Sequence, residues 1–154
     1  MLLTGKFIRS VDDKLRVAIP KRLRDAMSSS PTSDVYIAPG TDGSLAIYSP
    51  TAFAKLAQRM DSAPPTQEDV RAFNRLFYAQ TECVEIDAQG RIRIPIELAQ
   101  LAGLEKEAVM LGIQDHIELW DRARWEQYLA AKAPRYDQIA ERAMGRPSGP
   151  ATLG

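Results

Sequence analysis

A single cysteine, Cys83, and a single histidine, His116, stand in a chain of 154 residues. An internal disulfide is therefore impossible, and a zinc site, a Cys–His nucleophile pair or a serine triad would have to be assembled from almost nothing. Cys83, on an expected strand, reads as a small buried side chain. No GxxxxGK[ST] loop occurs, nor a GxGxxG after a strand, so the common nucleotide-binding signatures are missing. Carboxylates are plentiful but scattered, and Glu68 with Asp69 reads as favourable charge in the first turn of a helix. These absences predict a protein that is not an enzyme, with no metal, no cofactor and no small-molecule ligand evident. No apolar run approaches the roughly 18 residues needed to span a bilayer. The opening MLLTGKFIRS has too short an apolar stretch and no small-residue cleavage site for a signal peptide, so the expected compartment is the cytoplasm. A formal net charge of zero argues against coating nucleic acid by bulk attraction but leaves room for local patches.

What is present is ordinary for a globular chain, with 45% hydrophobic and 26% charged residues, enough for one compact domain or two small halves sharing a core. The informative feature is a repeat. DDKLRVAIP at 12–20 returns as DAQGRIRIP at 87–95, with Asp12 and Asp87, Arg16 and Arg91, and Pro20 and Pro95 all 75 positions apart. Each copy reads as a turn, an arginine opening a short strand, and a proline that ends the strand and starts a helix. The copies differ in charge. From residue 6 to 24, Lys6, Arg9, Lys14, Arg16, Lys21, Arg22 and Arg24 face only Asp12 and Asp13, whereas from 82 to 98, Arg91 and Arg93 stand against Glu82, Glu85, Asp87 and Glu97.

In chain order, residues 6–11 and 15–19 predict a first hairpin, in which Val17 and Ile19 alternate with Arg16 and turn the arginine away from the core. Leu23, Ala26 and Met27 then share one face of a short helix after Pro20, and SSSPTS at 28–33 is a loop. A second hairpin is expected around the turn at Gly40, Asp42 and Gly43, followed by a helix capped by Ser49 with Pro50 in its first turn and Phe53, Leu56, Ala57 and Met60 as a buried stripe. DSAPP at 61–65 reads as a linker, and Thr66 with Asp69 as a capping-box-like start to a helix presenting Val70, Phe73, Leu76 and Phe77. The second half repeats the first: strand 81–86, a turn at Gly90, strand 91–94, and a helix from Pro95 stopped by Gly103. Beyond it Gly40 and Gly112, Ile47 and Leu119, Tyr48 and Trp120, and Phe53 and Trp125 match at 72 positions, which makes the first-half loop three residues longer. Domain expectations follow as 1–60, a connecting segment 61–80, 81–131, and a tail 132–154 that holds one short helix around Ile139 and ends in a disordered composition.

The Asp-x-x-x-Arg pair has a purely structural reading, in which Asp12 and Asp87 satisfy turn amides and pair locally with Arg16 and Arg91. Two copies on equivalent turns favour a functional one, because a guanidinium on a hairpin tip can grip a guanine edge or a phosphate of double-stranded DNA. Gly90 suits the positive φ of a tight turn, but the first copy has Leu15 there; either that turn has a different shape, or Leu15 begins the strand and the DDK run makes the turn. The apolar stripes, including Trp125, Tyr128 and Leu129, read as core or protomer interface, and Tyr48 and Trp120 as packing anchors.

These pieces, together with FNRLFYAQTECVEID, IYSPTAF and LWDRARW, resemble the MraZ family of bacterial transcriptional regulators over about residues 1–130. The resemblance implies an α+β fold of two pseudo-symmetric AbrB-like swapped-hairpin repeats, with short strands forming a small barrel and helices at its periphery. It also implies a ring-shaped homo-oligomer, associated with the nucleoid, that binds short direct repeats upstream of the division and cell-wall gene cluster, its own gene included. Carried over by position, Arg16 and Arg91 face DNA, with Asp12, Asp87 and Gly90 supporting the turns. Leu15 departs from the family's glycine and puts the first turn's geometry in question, leaving Arg91 as the expected better-formed reader. Lys14, Arg22, Arg24 and Arg93 join the DNA-facing set from charge and facing alone. The rival reading is an AbrB-like antitoxin or a protein-interaction scaffold.

Overall fold

The computed structural model describes residues 2–27 and 33–145. Alternating apolar positions at both ends of the first Asp–Arg turn give β1 (Lys6–Ser10) and β2 (Arg16–Ala18), and Pro20 stops the strand and leads into α1 (Lys21–Met27), whose Leu23 and Met27 are buried. The second hairpin is β3 (Asp34–Pro39) and β4 (Leu45–Tyr48). Ser49 caps α2 (Pro50–Asp61) by accepting from the Ala52 amide, with Pro50 in the first turn. Next come α3 (Glu68–Gln80), β5 (Glu82–Glu85), β6 (Arg91–Arg93) and α4 (Ile96–Ala102), the last closed by Gly103 at a left-handed φ of 61°. β7 (Glu107–Ile113), β8 (His116–Asp121) and α5 (Arg122–Lys132) follow. A 3-10 turn at Ala133–Arg135 then leads into α6 (Tyr136–Met144).

The pairing is an exchange between halves. Six strands hydrogen-bond in the order β1-β7-β8-β4-β3-β5, so the first strand of each half pairs with a hairpin of the other, β1 on β7 and β5 on β3. β2 and β6 form a separate antiparallel ribbon, with Val17 opposite Ile92. The small barrel is not found: among the described residues the strands make an open sheet and a ribbon, without a closed ring of hydrogen bonds. Between them lies one hydrophobic cluster that draws on both halves, including Val17, Ile19, Ile37, Ile47, Ile92, Ile94, Met110 and Leu119. The chain divides into two compact units, residues 1–122 and 123–154.

Three local expectations need correction. Cys83 is exposed rather than buried, because β5 is an edge strand and Cys83 lies on its outer face. Thr66 and Asp69 make no capping box; Gln67 is the cap residue of α3 and offers no side-chain bond. The stripes have the expected helical phase but are shallow: α2 buries no residue fully, and on α3 Phe77 is buried while Phe73 and Leu76 are 53% and 65% exposed. Tyr48 and Trp120 are buried, in line with packing. The extra loop length of the first half and the tail beyond residue 145 fall wholly or partly outside the described residues.

Candidate nucleic-acid interface

The two Asp–Arg turns share the same bonds. In the first, Asp12 Oδ1 accepts from the amides of Lys14 (3.0 Å) and Arg16 (2.8 Å), and Oδ2 accepts from Arg16 Nε at 2.7 Å. In the second, Asp87 Oδ1 accepts from the amides of Gln89 and Arg91, both at 2.9 Å, and Oδ2 from Arg91 Nε at 3.0 Å. The backbone agrees: Asp12 N donates to Arg16 O and Leu15 N to Asp12 O, while Asp87 N donates to Arg91 O and Gly90 N to Asp87 O. One carboxylate thus accepts the turn's amides and orients the arginine. Both carboxyls are held below their ordinary 3.8, first by the backbone amide of the following arginine, against a smaller opposing effect of burial, and further by its guanidinium.

This geometry corrects both readings of Leu15. The turn has the same shape as the second, and Leu15 lies within it, at a φ of 61° beside 80° for Gly90. A left-handed leucine costs about 1 to 2 kcal/mol, and Leu15 offsets that by packing, half-buried, against the core cluster. The second turn distributes its bulk differently. A Cβ on Gly90 would lie 2.8 Å from the Arg24 guanidinium carbon, so Arg24 occupies the space a side chain would take. At the 75-residue shift the counterpart of Arg24 is Ala99, a small residue. Bulk sits on the turn in one copy and on the helix in the other.

The ribbon places the arginines. Arg16 pairs with Arg93, and Ala18 with Arg91, on either side of the buried Val17 and Ile92. Residues directly opposite in an antiparallel pair share a face, and alternate residues along a strand do too. Arg16, Arg91 and Arg93 therefore lie on the face opposite to the buried one. The ribbon is locked by a reciprocal pair of bonds, Ile94 N to Leu15 O at 2.8 Å and Ile19 N to Gly90 O at 2.9 Å, each turn's carbonyl being held by the other half. Because Nε of Arg16 and of Arg91 is taken by aspartate, Nη1 and Nη2 are left without a hydrogen-bond partner among the described residues. Two parallel donors on a fixed guanidinium match the O6 and N7 of guanine in the major groove.

The remaining charged candidates divide. Lys14 is exposed at the first tip, and Arg93 is exposed on the ribbon. Arg24 is turned inward, with Nε donating to Ile19 O at 3.0 Å. Arg22 donates to Thr4 Oγ1 at 3.0 Å and lies 5.9 Å from the Phe7 ring centre, with the Arg9 guanidinium at 5.8 Å from the same ring. Sequence reasoning missed Phe7 in this role, though its alternation with Ile8 in β1 showed that the two side chains take opposite sides.

Among the described residues no group of three or more His, Cys, Asp and Glu is placed to hold a metal ion, and no helix is long and apolar enough to cross a membrane. The family model described as "MraZ protein, putative antitoxin-like" matches twice, over residues 2–76 and 77–147. The chain is 37% identical over 142 residues to the transcriptional regulator MraZ of Moorella thermoacetica, covering 92% of this chain and 96% of that one. It is 38% identical over 141 residues to the protein of the same name from Limosilactobacillus reuteri (91% and 96%), and 38% over 138 residues to that from Acetivibrio thermocellus (90% and 94%).

Proposed function

The chain belongs to the MraZ family, as a transcriptional regulator and not an enzyme, and on that premise we propose that it reads DNA through the β2–β6 ribbon. The observation that carries this reading is the pair of arginines whose Nε is fixed by aspartate and whose terminal nitrogens have no hydrogen-bond partner among the described residues. A two-stranded ribbon fits a major groove. Arg16 and Arg91 make bidentate contacts to guanine edges, Arg93 adds a third contact on the same face, and Lys14 grips phosphate at the tip. Asp12, Asp87 and Gly90 hold the turns. Arg22 and Arg24 are engaged within the protein and support the reading face, Arg24 by covering Gly90.

A protomer offers two such turns, so affinity for a run of short direct repeats comes from several protomers held together as a ring-shaped homo-oligomer, by avidity rather than new contacts. The target is the DNA upstream of the division and cell-wall gene cluster, including the protein's own gene, and the site of action is the cytoplasmic nucleoid. Anisotropy titration of that DNA at two salt concentrations tests this. Binding should weaken steeply with salt, and Arg91→Ala should lose on the order of 1–3 kcal/mol. An Arg91→Ala variant that binds like the parent at both salts would remove the ribbon from the interface.

A second reading, an antitoxin or scaffold, draws on the exposed Phe73 and Leu76 of α3, which offer an apolar surface to a protein partner. It is favoured if the purified chain holds a small protein partner and shows no salt-dependent DNA binding.

A further inference from the structure

The two ends of the β2–β6 ribbon are not alike. Antiparallel pairing sets Arg16 opposite Arg93 at one end and Arg91 opposite Ala18 at the other, so each Asp–Arg turn stands at its own end. Both turns fix the residue two before the arginine in the same way. The amides of Lys14 and Gln89 donate to Oδ1 of Asp12 and Asp87 at 3.0 and 2.9 Å, and the next amide, of Leu15 or Gly90, donates to the same aspartate's carbonyl. The backbone therefore delivers these two side chains to matching places, and both are exposed. Their chemistry differs. The first tip is Asp13 and Lys14, with two charges; the second is Ala88 and Gln89, with none. Neither the Lys14 ammonium nor the Gln89 side-chain amide has a hydrogen-bond partner among the described residues.

On the ribbon reading proposed above, which is the premise here, we infer that Gln89 pairs with an adenine next to the guanine taken by Arg91. The unlike tips thereby set the ribbon's orientation on DNA. A glutamine side chain carries a donor and an acceptor on one planar group, the pattern that matches N7 and N6 of adenine in the major groove. It has no charge with which to hold a phosphate, and its neighbour Ala88 adds none. Lys14, at the matching place, is a point charge suited to a phosphate in any sequence. The bonds on either side of Gln89 hold such a reader in register. A two-fold protein surface mirrors a palindromic site, so a ribbon with equal tips would fit its box either way round. A base reader at one end only admits a single orientation on an asymmetric box, which is the arrangement that direct repeats require.

Selection from a library of randomised duplexes, run with the full chain and with its variants, tests this. The parent should recover an asymmetric box in which one adenine column adjoins guanine. Gln89→Ala should lose about 5- to 150-fold of the preference at that column and keep the guanine columns. Gln89→Lys, which gives the second tip the cation of the first, should lose the same column while holding unselected duplex more tightly. On the recovered box, replacing that adenine by 7-deazaadenine should weaken the parent several-fold and Gln89→Ala not at all, a coupling that a merely structural glutamine would not show. Lys14→Ala should instead weaken all duplexes alike and lower the salt slope by about one. Thermal melts of each variant check the fold. If Gln89→Ala recovers the parent's box unchanged, or the parent's box is palindromic or lacks the adenine, the assignment is wrong while the arginine reading stands. A parent that enriches no sequence overturns the ribbon reading itself, and this inference with it.

Discussion

The first Asp–Arg turn carries a leucine at its left-handed position, with alanine at the repeat-related helix position of the other half; the second carries a glycine covered by an arginine. Both nevertheless make the same bonds, donor for donor. The difference teaches that the aspartate sets the turn. Its two oxygens dictate where two amides and one guanidinium go, and the residue at positive φ has only to tolerate the result. Glycine tolerates it through the backbone. Leucine tolerates it because burial of its side chain returns about as much as the strain costs.

That comparison can be tested most severely on DNA. If the turns are equivalent readers, Arg16→Ala and Arg91→Ala should each lose about 1–3 kcal/mol of binding and the double variant about 2–6, by near-additivity of separate contacts. A first-turn variant that loses nothing in anisotropy titrations would mean that the shared geometry is used on one side only. Next in size is a change of stability. Gly90→Leu meets Arg24 and the positive φ together and should cost about 2 kcal/mol, or about 4–8 °C in a thermal melt. Adding Arg24→Ala gives the second turn the arrangement of the first and should recover part of that loss; no recovery would break the proposed exchange of bulk.

Smaller still is Leu15→Gly, which relieves strain but removes packing and loosens the unfolded chain, so its net effect should lie within about 1 kcal/mol. A large loss would show that leucine does more than tolerate the turn. The least effect concerns acid. Asp12 and Asp87 are held below 3.8 in the folded chain. Their contribution is fully present above the unfolded value near 3.8 and is lost as pH falls through the lower folded values. Asp12→Asn with Asp87→Asn should be less stable at neutral pH and lose less than the parent between about pH 4 and 2. Parallel profiles from urea melts would deny the carboxylates that role.

Much of the fold was legible because the signals are local. Asp, Arg and Pro at fixed spacing marked both turns, Ser49 and Pro50 marked a helix start, and Gly103 marked a helix stop. Leu15 misled because positive φ favours glycine in the sequence pattern, whereas tertiary packing of the leucine side chain meets the same cost. Cys83 misled because strand alternation tells which side chains share a face but not whether that face is covered. The arginine side of the site was legible from β2 alternating around Val17; the pairing that brings Arg93 opposite Arg16 was not, since it joins segments far apart in sequence.

The strand exchange also bears on synthesis. β1 ends at Ser10, but its hydrogen-bonding partner β7 is complete only at Ile113. At about 5–20 residues per second, the ribosome keeps the first strand waiting on the order of 5–20 s for its mate. The β3–β4 hairpin can form while the chain is still growing, yet the first half cannot close on itself, and the arginine ribbon waits for Arg93. A nascent chain therefore has no finished arginine face until most of it has been made.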